Sequence, residues 1–252
     1  MSSLNWINKK SFGNFHVLQL ESNEDIFLMR LDDDQNKFND TSIKYFNQTL
    51  DYIESCENAS CLITIGESPK FFSSGLDLDW AMPLGKAKFI EFVKTFHALL
   101  ARLLVFPIPT IACINGHAFA GGAMYAIAHD FRVMRDDKGF FCLPEVDIHI
   151  PLTPGMNSIL QSKITNSNTF RDTVLLGKRF GGKEAKKLEI VDVACKDILE
   201  QSVQIAEKIH SKGKDRYTFG SLKKEMYRDA YKYLIESSLG ETSKLAIFDS
   251  KL

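Results

Sequence analysis

The sequence predicts an α/β fold with a helical tail, and three observations carry that prediction. A strand, a glycine turn and a helix follow one another twice, at about 45-residue spacing. Apolar residues alternate between strand-like runs and helical spacing over residues 1–195. From residue 196 onward the chain reads as helix only, rich in Lys, Glu and Tyr, with no flexible linker before it. The expected organisation is therefore a core over 1–195 and a helical region over 196–252.

The elements follow in order. Phe15–Leu20 and Ile26–Leu31 form a hairpin about the turn cluster Ser22-Asn23-Glu24-Asp25. Asp32–Asn36 is a polar loop. Thr41 or Asp40 caps a helix over 42–56, in which Ile43, Phe46, Leu50 and Ile53 keep helical spacing. Cys61–Ile65 is a buried strand that runs into the first glycine turn, Phe71-Phe72-Ser73-Ser74-Gly75-Leu76-Asp77-Leu78. Residues 86–105 are helical, with Phe89, Phe92, Val93, Phe96, Leu99, Leu100 and Leu103 on one side, and Pro107 and Pro109 end that pattern. Thr110–Ile114 is a strand feeding the second turn, Gly116-His117-Ala118-Phe119-Ala120-Gly121-Gly122. A helix starts near Gly121 and runs to His129. Phe131–Met134 and Gly139–Cys142 are further strands, and residues 156–195 are helical with a short strand near Ile190–Val193.

Composition removes several function classes. The chain has 252 residues, 44% hydrophobic and 25% charged, with a net charge of −1. That balance gives no reason to expect nucleic acid or an anionic membrane as partner. No apolar run is long enough to span a bilayer, and the N-terminus carries no secretory signal. The five cysteines, Cys56, Cys61, Cys113, Cys142 and Cys195, fit neither a disulfide framework nor a zinc site, so free thiols and no metal are expected. The final Ser250-Lys251-Leu252 is a peroxisomal import address when read by the import receptor, which points to the peroxisomal matrix.

The chemistry concentrates in the two turns and in Leu143-Pro144-Glu145-Val146-Asp147. Glycine lets backbone N–H groups approach a ligand, and two such groups hold a carbonyl oxygen as it gains negative charge. Glu145, among Phe141, Leu143, Val146 and Ile148, is the candidate acid/base, its pKa raised by apolar neighbours. Asp147 would share a face with Glu145 on an extended segment. Asp77 is expected to hydrogen-bond nearby backbone. His117 and His149 flank the site as candidate proton carriers, and Lys70 as a phosphate contact. Trp80, Met82, Leu84, Phe89 and Phe92 are candidates for an apolar trough, with Met124 against it.

Taken together, these residues resemble the enoyl-CoA hydratase/isomerase, or crotonase, family. Phe72-Ser73-Ser74-Gly75-Leu76-Asp77-Leu78 is similar to the family's F-S-A-G-x-D-L turn. Pro109–Gly116 followed by Ala120-Gly121-Gly122 is similar to its P-x-I-A-x-x-x-G-x-x-x-G-G segment, and Pro144-Glu145-Val146 to its P-E-V/I/L turn. The match in order and spacing runs from residue 12 to 195.

The resemblance implies a spiral of β-β-α units, a C-terminal helical oligomerisation region, and a homotrimer or dimer of trimers. It implies an acyl-CoA thioester substrate with no separate cofactor, since coenzyme A is part of the substrate. It places substrate contacts on Ser74, Gly75, Leu76, Asp77, Leu78 and Gly121, with the oxyanion-hole N–H groups from Leu76 and Gly121. Hydratases of the family carry a second glutamate three residues after that glycine; here the position is Met124. One carboxylate suits movement of a double bond, in which a proton leaves C2 and returns at C4. The implied activity is thus conversion of cis- or trans-3-enoyl-CoA to trans-2-enoyl-CoA in β-oxidation of unsaturated fatty acids. Asp147 as a second acid keeps a dienoyl-CoA isomerase or weak hydratase as an alternative, and a non-catalytic acyl-CoA-binding paralogue is a third.

Overall fold

The structure is a computed structural model that describes residues 4–236 and 239–240. Its elements in chain order are β1 (Trp6–Phe12), β2 (Phe15–Leu20), β3 (Asn23–Leu31), β4 (Lys37–Phe38), α1 (Asp40–Ser55), β5 (Cys61–Gly66), β6 (Phe71–Ser73), β7 (Gly75–Leu76), α2 (Leu78–Ala81) and α3 (Lys86–Leu104). Then come β8 (Thr110–Ile114), β9 (His117–Phe119), α4 (Gly121–Ala128), β10 (Phe131–Arg135), β11 (Phe141–Cys142), α5 (Pro154–Lys163), α6 (Ser167–Leu175), α7 (Gly182–Lys187) and β12 (Val193–Cys195). Helices α8 (Ile198–Ile209), α9 (Arg216–Met226) and α10 (Arg228–Ile235) complete the described chain. Ser250-Lys251-Leu252 lie outside the described residues.

Strand pairing lays out the spiral. The main sheet has the order β1-β2-β3-β5-β8-β10-β12, antiparallel through β3 and parallel from there on. A smaller sheet, β11-β9-β6, is parallel throughout, and β4 pairs with β7. Each main-sheet strand from β3 to β10 is followed by a short strand in a smaller sheet and then a helix. The β-β-α unit therefore occurs four times, against the two legible from glycine spacing. The short strands of two or three residues carry no periodicity of their own, which is why the sequence shows only half of the turns.

Period-two side-chain alternation gives the main sheet two buried faces. On β3, Phe27, Met29 and Leu31 join one cluster while Ile26 and Leu28 join the other. On β8, Ala112 and Ile114 face the first cluster and Ile111 and Cys113 the second. Helices α1, α3 and α4 cover the first face, and Ile198, Val203 and Ala206 of α8 cover the second. Tyr227, Ala230 and Leu234 near the chain's end belong to the first cluster, where α10 packs on α3 and α5.

Three boundaries differ from expectation. β1 pairs with β2 as an added edge strand whose interior residues are exposed, so no apolar alternation announced it. The cap of α1 is Asn39, not Asp40 or Thr41. Its side chain accepts the Ser42 N–H while the Ser42 hydroxyl accepts the Asn39 N–H, a reciprocal pair that satisfies two exposed donors. The last sheet strand is Val193–Cys195, a few residues beyond the predicted one.

Candidate active site

The two glycine turns meet at one point, and glycine is required on both sides of it. A Cβ on Gly75, whose φ is +91°, would stand 2.7 Å from the Gly121 nitrogen. A Cβ on Gly122 would stand 2.1 Å from the Ser73 carbonyl oxygen. The first turn is pinned from below. The Ser73 hydroxyl donates to the Asn36 carbonyl at 2.8 Å and accepts the Gly75 N–H at 3.2 Å. The Asp77 N–H goes to the Phe38 carbonyl on β4. Alternation along β7 then turns the Leu76 N–H to the opposite edge, toward α4. Leu76 N is the nearest heavy atom, at 3.2 Å, to where a Gly121 Cβ would stand.

Gly121 opens α4. Its preceding residue, Ala120, caps the helix at φ 49° and ψ −121° with no side-chain hydrogen bond. That conformation is costly for an L-residue, and it sets the start of α4 beside Leu76 in the same lining. The positive end of the helix dipole acts in the same direction.

That space is a cavity of about 260 Å³. One wall comes from the turns: Ser74, Leu76, Leu78, Phe119, Ala120 and Gly121. Phe89 and Val93 of α3 form the second wall. The third is the segment from Pro144 to Met156, which supplies Glu145, Ile148, Ile150, Leu152 and Thr153. Glu145 is the only ionisable side chain in the lining among the described residues. Its Oε2 is buried with no hydrogen-bond partner among them. Burial pushes its carboxyl up to about 7, so it gives and takes protons near neutrality. Its backbone is fixed: the Glu145 carbonyl accepts the Ile150 N–H at 3.1 Å, and the Pro144 carbonyl accepts those of Asp147 and Ile148.

The structure separates the other sequence candidates. Ser74, Leu76, Leu78 and Gly121 line the cavity, and Gly75 braces it from behind. Asp77 does not reach the cavity. Its carboxylate takes Lys37 at 3.5 Å and the Asn39 amide at 3.4 Å, side chains rather than the expected backbone. Asp147 is exposed and sits beside Gly177, because residues 144–148 form a turn and not the extended segment that would align it with Glu145.

Met124 is fully buried in the core, since every residue of α4 is buried, and it is not part of the cavity wall. Of the proposed apolar trough only Phe89 lines the cavity; Phe92 and Trp80 pack edge to face on each other at 5.1 Å. His117 stacks among Phe71, Phe119 and Phe140, and burial lowers its pKa. His149 is exposed at φ 58°, and Lys70 lies over the Phe71 ring.

Ile148 is expected beside Glu145 from the sequence; the wall residues missed from sequence are Val93, legible only as part of a helix face, and the run from Ile150 to Met156. Ile150 and Leu152 lie outside any recognised periodic stretch, so only the turn after Glu145 brings them to the cavity, and Met156 reaches it from the start of α5. Thr153 caps α5, accepting the Met156 N–H, and its hydroxyl also meets His97 Nε2 at 2.9 Å. A Thr-Pro pair ahead of an apolar run is the one local signal for that cap.

Comparison with known proteins gives a consistent picture. The family model described as Enoyl-CoA hydratase/isomerase matches residues 21–250. Enoyl-CoA delta isomerase 3 of Arabidopsis thaliana is 36% identical over 217 residues, covering 82% of this chain and 91% of that protein. Enoyl-CoA delta isomerase 2, peroxisomal, of the same plant is 32% identical, covering 90% and 99%. Among solved structures, human mitochondrial delta3-delta2-enoyl-CoA isomerase superposes with a TM-score of 0.81 at 21% identity, covering 94% of this chain and 92% of that one. At that identity the superposition speaks for the fold.

Proposed function

The chain belongs to the enoyl-CoA hydratase/isomerase family, and from that premise we propose that it shifts the double bond of 3-enoyl-CoA esters, cis or trans, to trans-2-enoyl-CoA. The observation that carries the reading is a cavity with one carboxylate, Glu145, facing the paired turns of Leu76 and Gly121. Coenzyme A enters as part of the substrate, and no other cofactor has a step.

The residues divide the work as follows. The thioester oxygen sits between the Leu76 and Gly121 N–H groups. The Glu145 carboxylate takes a proton from C2, and the electron pair of that bond spreads over a dienolate whose charge rests largely on the thioester oxygen. Two fixed donors hold that charge before it forms; one of them is typically worth roughly 3 kcal/mol. The protonated Glu145 then returns the proton to C4, leaving the double bond between C2 and C3. No atom is gained or lost, so no water and no second acid is required. The raised pKa of Glu145 suits both halves of the cycle.

A hydratase or dienoyl-CoA isomerase would need a further acid. Asp147 is turned out of the cavity and Met124 cannot titrate, so neither supplies it. A silent acyl-CoA binder has no use for a carboxylate poised near neutrality. The test is incubation with a 3-enoyl-CoA while following absorbance of the conjugated thioester, with Glu145→Gln and Asp147→Asn in parallel. Turnover surviving in Glu145→Gln, or lost in Asp147→Asn, overturns the assignment.

Peroxisomal location belongs to the same proposal, supported by the peroxisomal relative and by the Ser250-Lys251-Leu252 motif. A fluorescent fusion placed ahead of residue 1, with and without those three residues, tests it. We also assign catalysis to residues 1–195 and assembly into a trimer or dimer of trimers to 196–252. Exposed Tyr217, Leu222 and Met226 on α9 support that assignment, and light scattering of the purified protein measures it.

A further inference from the structure

We propose that His97 is a positioning residue for the catalytic carboxylate, acting through Thr153 on the segment that carries Glu145. The proposal rests on Glu145 being the base.

His97 lies on α3 and has no exposed surface. Its Nε2 is 2.9 Å from the Thr153 hydroxyl, and its Nδ1 has no partner among the described residues. Only burial shifts its pKa, which it pushes down to about 4, so the ring is neutral wherever the enzyme works. A neutral imidazole forms one hydrogen bond here, and that bond goes to the cavity wall.

Thr153 is itself fully buried and joins three things. It lines the cavity, it accepts the Met156 N–H at the start of α5, and it ends the run that begins at Glu145. Within that run the Glu145 carbonyl is tied to the Ile150 N–H. Backbone bonds hold the segment near the base, and the His97 contact holds its far end from a helix that is not part of the segment. Helix α3 also supplies Phe89 and Val93 to another wall of the same cavity. The His97–Thr153 bond therefore sets the distance between the wall that holds the acyl chain and the wall that holds the base. A buried imidazole with an unmatched nitrogen is a costly way to fill space in an apolar helix face, and leucine would fill it without that cost. The position makes sense if the bond to Thr153 matters to the site.

Burial is what raises the Glu145 pKa, with no charged side chain among the causes; the ionisable groups along its own stretch are Cys142, Asp147 and His149, and Arg179 meets Cys142 from the loop before α7. None is altered by the variants below.

The experiment measures kcat, KM and the pH profile of kcat/KM for His97→Leu, Thr153→Val, the double variant and Thr153→Ser. Expected are losses in kcat of roughly 10- to 100-fold for His97→Leu and for Thr153→Val. KM should stay within about twofold, and the double variant should fare no worse than either single one. The acid limb should move down by about one unit as Glu145 gains water, and Thr153→Ser should keep near-normal kcat and an unmoved limb. A purely structural role would lower the melting temperature and the active fraction without moving the limb. Normal kcat in His97→Leu, or losses that add in the double variant, overturns the proposal. Should His97→Leu not fold, the Thr153→Val and Thr153→Ser pair decides by the same limb. Turnover retained in Glu145→Gln would instead remove the reading on which the proposal rests.

Discussion

Gly75 and Gly121 are pressed together so closely that a Cβ on Gly75 would stand 2.7 Å from the Gly121 nitrogen. The proposed sharing of one oxygen by the Leu76 and Gly121 N–H groups needs both backbones this near. Gly75→Ala adds a methyl against backbone, where nothing flexible can yield, at a φ of +91° that disfavours any L-residue. The turns would be forced apart by several tenths of an ångström. The expected result is a loss of kcat of about 100-fold or more, comparable to losing one oxyanion donor, with a destabilisation of about 2–4 kcal/mol. Steady-state kinetics and urea denaturation measure the two effects separately.

Glu145 gives the pH dependence its sign. Burial raises its folded pKa to about 7 from a model-compound value of 4.5. In the proposed mechanism the carboxylate is the active form, so kcat/KM should rise with pH through an acid limb near 7. Stability runs the other way. Between 4.5 and about 7 the folded state holds a proton that the unfolded chain has released, so this group's contribution falls as pH rises through that window. Glu145→Gln removes that loss. It should be inactive, yet more stable than wild type above neutral pH by something on the order of 2 kcal/mol. Melting curves on the two sides of the window check this, and equal differences on both sides contradict it.

The contrast between Glu145 and Asp147 shows what sequence could and could not yield. Glu145, the glycine turns and the two-faced strands were legible because each follows from local chemistry: a burial pattern, a backbone requirement, a period of two. Whether Asp147 joins Glu145 depends on the backbone path between them, and the turn at 144–148 is held by carbonyls with no side-chain signature. Met124 is non-titratable by its identity alone, but its place in the core, away from the expected trough, depends on α4 being buried all round, which is a tertiary fact. The wall from Ile150 to Met156 carries no sequence signal for the same reason. The short strands β4, β6, β7, β9 and β11 are too brief to carry a pattern and exist because longer neighbours position them.

Phe89 connects the cavity wall to the core. It lines the cavity from α3 and is almost wholly buried. Phe89→Ala should enlarge the cavity at a cost of about 3–5 kcal/mol in stability. Each added methylene that then finds apolar cover is worth about 0.8 kcal/mol. The ratio of kcat/KM for long over short 3-enoyl-CoA substrates should rise about tenfold. A ratio unchanged across a chain-length series would show that the acyl chain leaves the cavity by another wall.

Lys163 offers a stability test far from the chemistry. Its ammonium donates to the Tyr227 hydroxyl at 2.6 Å and to the His129 carbonyl at 3.1 Å, joining α5 to the start of α10 and the end of α4. Burial, reinforced by the Arg132 charge, pushes its pKa down to about 7 from 10.5. The folded state therefore releases this proton before the unfolded chain does. Between about 7 and 10.5 the unfolded state binds more protons, so the contribution to stability rises with pH, the reverse of the Glu145 case. Lys163→Met keeps most of the volume and removes the titration. Wild type should gain stability relative to this variant on going from about pH 7 to about pH 9, by roughly 1–2 kcal/mol. Parallel pH slopes for the two proteins in urea denaturation would mean that Lys163 keeps its proton in the fold, and that its bonds to Tyr227 and His129 are those of an ordinary ammonium.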